Sequence, residues 1–206
     1  MMKNFKLKLS VLTLLAATGV HASAANLYDN LGSTQDGADP ILSYGPMLAN
    51  SFTTGAAGVS LASITALLKS DGASPVGDLR VSLHADSANS PGAELLSLGV
   101  LSSANIATDA FARYSFTPAA SFALAANTTY WVEIEAVSPN PVEWAWSGDL
   151  TAPGVAGQST YSGIFGVSPN GLAYQMAVTT AVPEPTSALL LAMGIGAFTM
   201  LRRRQG

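Results

Sequence analysis

No cysteine occurs among the 206 residues, which excludes disulfides, thiolate nucleophiles and cysteine metal clusters together. Histidine is almost missing as well, with His21 near the start and His84 in the middle. Charged residues make up only 11% of the chain, and the basic ones are unevenly placed. Lys3, Lys6, Lys8, Arg202, Arg203 and Arg204 sit at the two ends. Between Ala25 and Ala181 only Lys69, Arg80 and Arg113 stand against twelve carboxylates, a balance that repels phosphate backbones and argues against nucleic acid as a partner. There is no internal repeat at fixed period and no long amphipathic helical pattern.

What the chain does have is two unusual ends. Residues 1–24 carry three lysines, then an apolar run from Leu9 to Ala17, then Ala22-Ser23-Ala24 with small residues at the spacing a signal peptidase accepts. This is the pattern of a cleaved secretory signal peptide, with the cut after Ala24 or Ala25 and Ala22 and Ala24 as its recognition residues. At the other end, residues 182–206 hold Pro183-Glu184-Pro185, the sixteen uncharged residues Thr186 to Leu201, and Arg202-Arg203-Arg204. As a helix the apolar stretch is about 24 Å long, slightly short of a bilayer core. Local thinning covers that mismatch, and the arginine triplet stays cytoplasmic under the positive-inside rule. One C-terminal transmembrane helix at the inner membrane is expected, with the domain outside. Two prolines keep the preceding joint extended and exposed.

Taken in order and spacing, this tail resembles the PEP-CTERM class of bacterial exported proteins. The resemblance implies recognition by an exosortase, a transpeptidase-like membrane enzyme that removes the tail and passes the protein toward the cell surface. It also implies a setting of exopolysaccharide production.

Residues 25–181 read as an all-β domain. Short alternating runs are punctuated by Gly, Pro, Ser, Asn and Asp, the signature of strands and turns. Leu79, Val81, Leu83 and Ala85 share one strand face, opposite Arg80, Ser82 and His84. Tyr130, Val132, Ile134 and Ala136 likewise oppose Trp131, Glu133 and Glu135. Further strands are expected at residues 48–54, 61–69, 94–101, 111–117, 142–147 and 172–179. Turns are expected at Asp71-Gly72, Ser90-Pro91-Gly92 and Asn170-Gly171. Some eight short strands favour an antiparallel two-sheet β-sandwich, jelly-roll-like, over a parallel α/β sheet. The domain is also similar to the choice-of-anchor β-domains of exported proteins, best to the type labelled R. That likeness is carried by Leu27-Tyr28-Asp29-Asn30, Ala49 to Thr54, Leu79 to Gly92 and Thr129 to Ile134. It implies an architecture and no activity.

Catalytic and metal-binding residue types are scarce. The mature chain holds one histidine, so a Ser-His-Asp triad would need His84, and no Gly-x-Ser-x-Gly elbow accompanies it. His84 is expected to be a solvated strand residue. Glu133 and Glu135 lie about 7 Å apart along one strand, pointing in parallel and unable to flank a glycosidic bond as a catalytic pair does. A solvated sheet face is the expectation for them. Asp36 to Asp39 and Asp71 to Asp78 are acidic glycine-containing loops to which calcium chemistry applies, but neither follows the EF-hand pattern, and turn-forming aspartates account for them. No cofactor and no metal is expected.

Aromatic residues are the remaining candidates for ligand contact. Trp144 and Trp146 share a strand face and can stack on sugar rings or fill the core, with burial favoured because Val142 lies on the same face. Trp131 sits on the polar face with Glu133 and Glu135, either exposed for contact or covered by a loop such as residues 151–163. Tyr161 is the fourth candidate. The expected function is a non-enzymatic exported surface or matrix protein associated with exopolysaccharide. The alternatives are a carbohydrate-active enzyme using two carboxylates among Glu133, Glu135, Glu143 and Asp149, and a calcium-dependent carbohydrate-binding module.

Overall fold

Alternating apolar residues become strands in a computed structural model of the chain, which describes residues 25–41, 47–72, 75–169 and 171–181. In chain order the strands are β1 (Asn26–Asp29), β2 (Gly37–Pro40), β3 (Leu48–Thr53), β4 (Val59–Ser70), β5 (Asp78–Asp86), β6 (Pro91–Ser102), β7 (Ala112–Phe116), β8 (Phe122–Leu124), β9 (Thr129–Ala136), β10 (Val142–Ser147), β11 (Ser159–Ser162), β12 (Gly166–Pro169), β13 (Ala173–Tyr174) and β14 (Met176–Thr180). A single 3₁₀ turn, Ser103–Asn105, is the only helical element among the described residues. The signal peptide and the C-terminal apolar segment lie outside the described residues, and no described helix is long and apolar enough to cross a membrane.

All pairings are antiparallel and fall into two sheets. One runs β12-β11-β3-β9-β5-β6, and the other runs β1-β14-β4-β10-β13, with β2 on β10 and both β7 and β8 on β4. Each of the eight expected strands is present. The stretch 172–179 is divided in two at Gln175, so that β13 pairs with β10 and β14 with β4. Five strands had not been expected: β1, β2, β8, β11 and β12. They are three or four residues long, too short for an alternation to register in the sequence.

The core lies between the sheets. Leu79, Val81 and Leu83 of β5 and Tyr130, Val132 and Ile134 of β9 are buried there, together with Leu61, Ile64, Ala66 and Leu68 of β4. Leu61 and Ile64 are three apart and would point oppositely in a regular strand. A register shift between Thr179 and Thr180, where β14 pairs with β4, returns both to the interior. Phe52 stacks on Tyr130 at 5.8 Å, and Trp144 on Tyr174 at 4.7 Å.

Of two expected turns, one is found in place and the other is moved by packing. Gly72 adopts φ +73°, as Asp71-Gly72 requires. The expected turn at Ser90-Pro91-Gly92 lies earlier: Ser87 and Ser90 exchange main-chain hydrogen bonds, and Ala88 and Asn89 take φ of 53° and 62°. This is a two-residue hairpin loop of the mirror-image kind, leaving Pro91 and Gly92 to begin β6. Asn170 lies outside the described residues.

Candidate functional site

Two regions of the domain bear on function: the outer face of β5 and β9, and the point where the ends of the domain meet. On β5 and β9 the register sets Arg80 opposite Glu135, Ser82 opposite Glu133 and His84 opposite Trp131. Alternation places these six side chains away from the core, as expected. The solvation expected of His84 and Glu133 is not found, while Glu135 is half-buried and Trp131 takes the covered alternative. Trp131 is 0% exposed, Glu133 3% and His84 8%, and Ser82 is buried too.

The cover is the β5–β6 turn. Asn89 at its tip accepts a hydrogen bond from Ser159 Oγ at 3.1 Å, although Ser159 belongs to β11, three positions across the sheet from β5. The turn therefore lies over the face, and Asp86 Oδ1 receives the Trp131 indole N–H at 2.8 Å. The loop expected to cover Trp131 contributes Ser159 to this closure. Shifts of register at three points between β5 and β6 supply the twist that lets the hairpin arch over.

Beneath it, His84 Nδ1 is 2.9 Å from the Gly92 carbonyl. A carbonyl only accepts, so Nδ1 carries a proton. Nε2 faces both Ser82 Oγ at 3.0 Å and Glu133 Oε2 at 3.6 Å. A nucleophilic triad needs the hydroxyl and the carboxylate on opposite ring nitrogens. Here they share one, and the hydroxyl is buried. Desolvation raises the Glu133 pKa above the usual carboxylate value, with opposition from His84, reinforcement from Glu135, opposition from Arg80 and reinforcement from Glu94. Arg80 also bridges Glu135 and Glu94 at the more exposed margin.

The four carboxylates considered for glycoside chemistry are spread over the molecule. Glu133 and Glu135 occupy the outer face of one sheet, Glu143 lies 3.9 Å from Lys69 on the other, and Asp149 closes a turn. Asp149 accepts from Thr151 Oγ1 at 2.6 Å and Thr151 N at 2.9 Å, and from Ser33 Oγ at 2.9 Å. These bonds, with the Thr151 hydroxyl first, lower its pKa. Asp36 accepts from Gly148 N at 2.7 Å, and Asp39 from Tyr174 Oη at 2.7 Å. Among the described residues no three His, Asp or Glu side chains converge in a metal-holding group.

Trp144 is fully buried, and its Nε1 donates to the Gln175 carbonyl at 3.0 Å. Trp131 and Trp144 are therefore covered in this fold, and neither ring meets solvent. Trp146 is half-buried and lies so close over Gly37 that a Cβ there would sit 2.3 Å from its ring. Tyr161 is half-buried on β11, next to Ala49 and Val167.

Sequence reasoning missed the polar residues that join the strands. Asn30 Oδ1 accepts from Met176 N at 2.7 Å, Asn50 Oδ1 from Tyr174 N at 2.9 Å, and Gln175 Nε2 donates to the Asn30 and Ser33 carbonyls. Their partners are more than a hundred residues away, so no local pattern announces them. The two ends of the domain meet in the same way: Thr180 N donates to the Ala25 carbonyl at 2.9 Å.

The site thus defined belongs to an all-β domain whose last strand ends at Thr180. Immediately beyond it, residues 181–205 match the PEP-CTERM protein-sorting motif. The motif points to exosortase-dependent sorting of an exported protein. No curated protein matches the chain. Pro183, Glu184, Pro185, Arg202, Arg203 and Arg204 fall within the matched residues; they, and Ala22 and Ala24 near the start, lie outside the described residues.

Proposed function

We propose that this chain is a non-enzymatic surface or matrix protein, exported by residues 1–24 and held at the inner membrane by a helix over Thr186 to Leu201 until an exosortase processes the tail. Residues 25–181 are the cargo: a jelly-roll-like domain of the choice-of-anchor kind, type R, that associates with exopolysaccharide outside the cell. The observation that carries the reading is the junction itself. The last residue of β14 is Thr180 and the sorting motif begins at Ala181, so address and cargo abut without a further folded element between them.

The non-catalytic part of the reading is supported by how the reactive side chains are spent. His84 is occupied by Gly92, Ser82 and Glu133 beneath the turn, and Glu143 and Asp149 are engaged elsewhere. Of the four candidate aromatic residues, Tyr161 and Trp146 are the two that still reach solvent, and exopolysaccharide contact falls to them.

Mass measurement of the C-terminus from cells with and without the exosortase gene tests the sorting claim. Loss of the residues after Pro185 only when the enzyme is present is the expected result. An intact C-terminus in the final location of the protein overturns it. Incubation of the processed protein with the producer's polysaccharide tests the rest, with binding and no release of reducing ends expected.

A further inference from the structure

We infer that signal peptidase cuts between Ala24 and Ala25, and that the new α-amino group docks on Thr180, so that the cut end and the sorting segment leave the domain from one point. The inference rests on the export reading and fixes what the sequence left open between two positions.

The argument starts from the clasp between Ala25 and Thr180. Thr180 N donates to the Ala25 carbonyl at 2.9 Å, its hydroxyl donates to the same carbonyl at 3.2 Å, and Ala25 N donates to that hydroxyl at 3.0 Å. Thr180 is only 5% exposed, so water does not readily replace a missing partner there. Hydrolysis after Ala24 adds water across the Ala24–Ala25 amide, leaving a carboxylate on Ala24 and an ammonium on Ala25. The ammonium keeps its donor to Thr180 Oγ1, and the Ala25 carbonyl is untouched. A cut one residue later removes that carbonyl and leaves two donors of Thr180 unpartnered.

The pairing also orders the events. A peptidase needs its substrate extended and free on both sides of the scissile bond, whereas Ala25 in the fold is bound and Asn26 is already opposite Thr179. The cut therefore precedes docking of β1. That docking waits for β14, the last strand to leave the translocation channel, because β14 is the only strand that pairs with β1 among the described residues. On its other side β1 is held by the loop after β10: Asp29 N donates to the Pro153 carbonyl at 2.9 Å. Gly154 follows at φ +75°, where a Cβ would lie 2.0 Å from the Leu27 carbonyl.

The test uses the full chain, residues 1–206, produced in an exporting Gram-negative host. Intact mass and N-terminal sequencing of the exported protein are expected to give Ala25 as the first residue. A start at Asn26 or elsewhere overturns the inference while the export reading stands. A cytosolic protein retaining Met1 to Ala24 overturns both. Hydrogen exchange on the processed protein then tests the docking. In Thr180→Val, amides of residues 26–29 are expected to exchange at least tenfold faster, with β9 unchanged and Thr180→Ser restoring protection. Unchanged exchange in Thr180→Val overturns the docking.

Discussion

Nε2 of His84 lies 3.6 Å from Oε2 of Glu133, and both side chains are almost wholly buried beneath a hairpin turn on what is nominally the outer face of the sheet. The pair stands on neighbouring strands, Glu133 directly opposite Ser82 and His84 opposite Trp131. The desolvation that raises the Glu133 pKa therefore depends on the closing of the turn.

Replacing Glu133 by Gln is expected to raise thermal stability at pH 8 and to leave it unchanged at pH 4. The folded-state pKa of Glu133 is raised, chiefly by desolvation. A raised pKa means that its contribution is fully present below the unfolded value and is lost as pH rises through the folded one. Gln carries no charge at either pH, so the benefit of the substitution appears only at the higher one. Melting curves across pH 4 to 8 measure this. An equal gain at both ends sinks the linkage.

Ala88→Gly is expected to stabilise the domain by about 1 kcal/mol, since a left-handed conformation penalises a Cβ by about 1–2 kcal/mol while glycine adds unfolded-chain entropy. Urea unfolding should show a higher midpoint at unchanged slope. A lower midpoint would mean that the turn is not held at positive φ.

Asp86→Ala is expected to destabilise by about 2 kcal/mol, because it strands the Trp131 indole N–H below the turn. Iodide quenching should then increase, as the covered indole meets solvent. Unaltered quenching together with unaltered stability would show that Asp86 does not fasten the turn.

Trp144→Ala is expected to cost about 3–5 kcal/mol through loss of a fully buried ring stacked on Tyr174. Tyr161→Ala is expected to cost about 1–2 kcal/mol, less than the Trp144 variant, and to lose retention on the producer's polysaccharide. Full retention by the Tyr161 variant removes that residue from the proposed contact surface.

The sequence was legible where a side chain's face decided its fate locally. Val142, Trp144 and the alternating residues of β5 and β9 announced their orientation, because a strand turns every second side chain the same way. The same reasoning misjudged Glu133 and His84, and left open whether Trp131 was exposed or covered. Alternation gives the face, but what lies over that face depends on Asn89 meeting Ser159, seventy residues further along the chain. The short strands β1 and β11 escaped notice for a related reason: each exists because a distant partner supplies its hydrogen bonds.

By itself the sequence determined the address and the architecture class, since the sorting motif is contiguous and sheet patterning has a period of two residues. Only the tertiary structure decided which tryptophans are hidden, which carboxylate is desolvated and where the two ends of the domain meet. Those outcomes rest on contacts between segments far apart in the chain, and hydrogen bonding across such distances leaves no periodic trace in either segment.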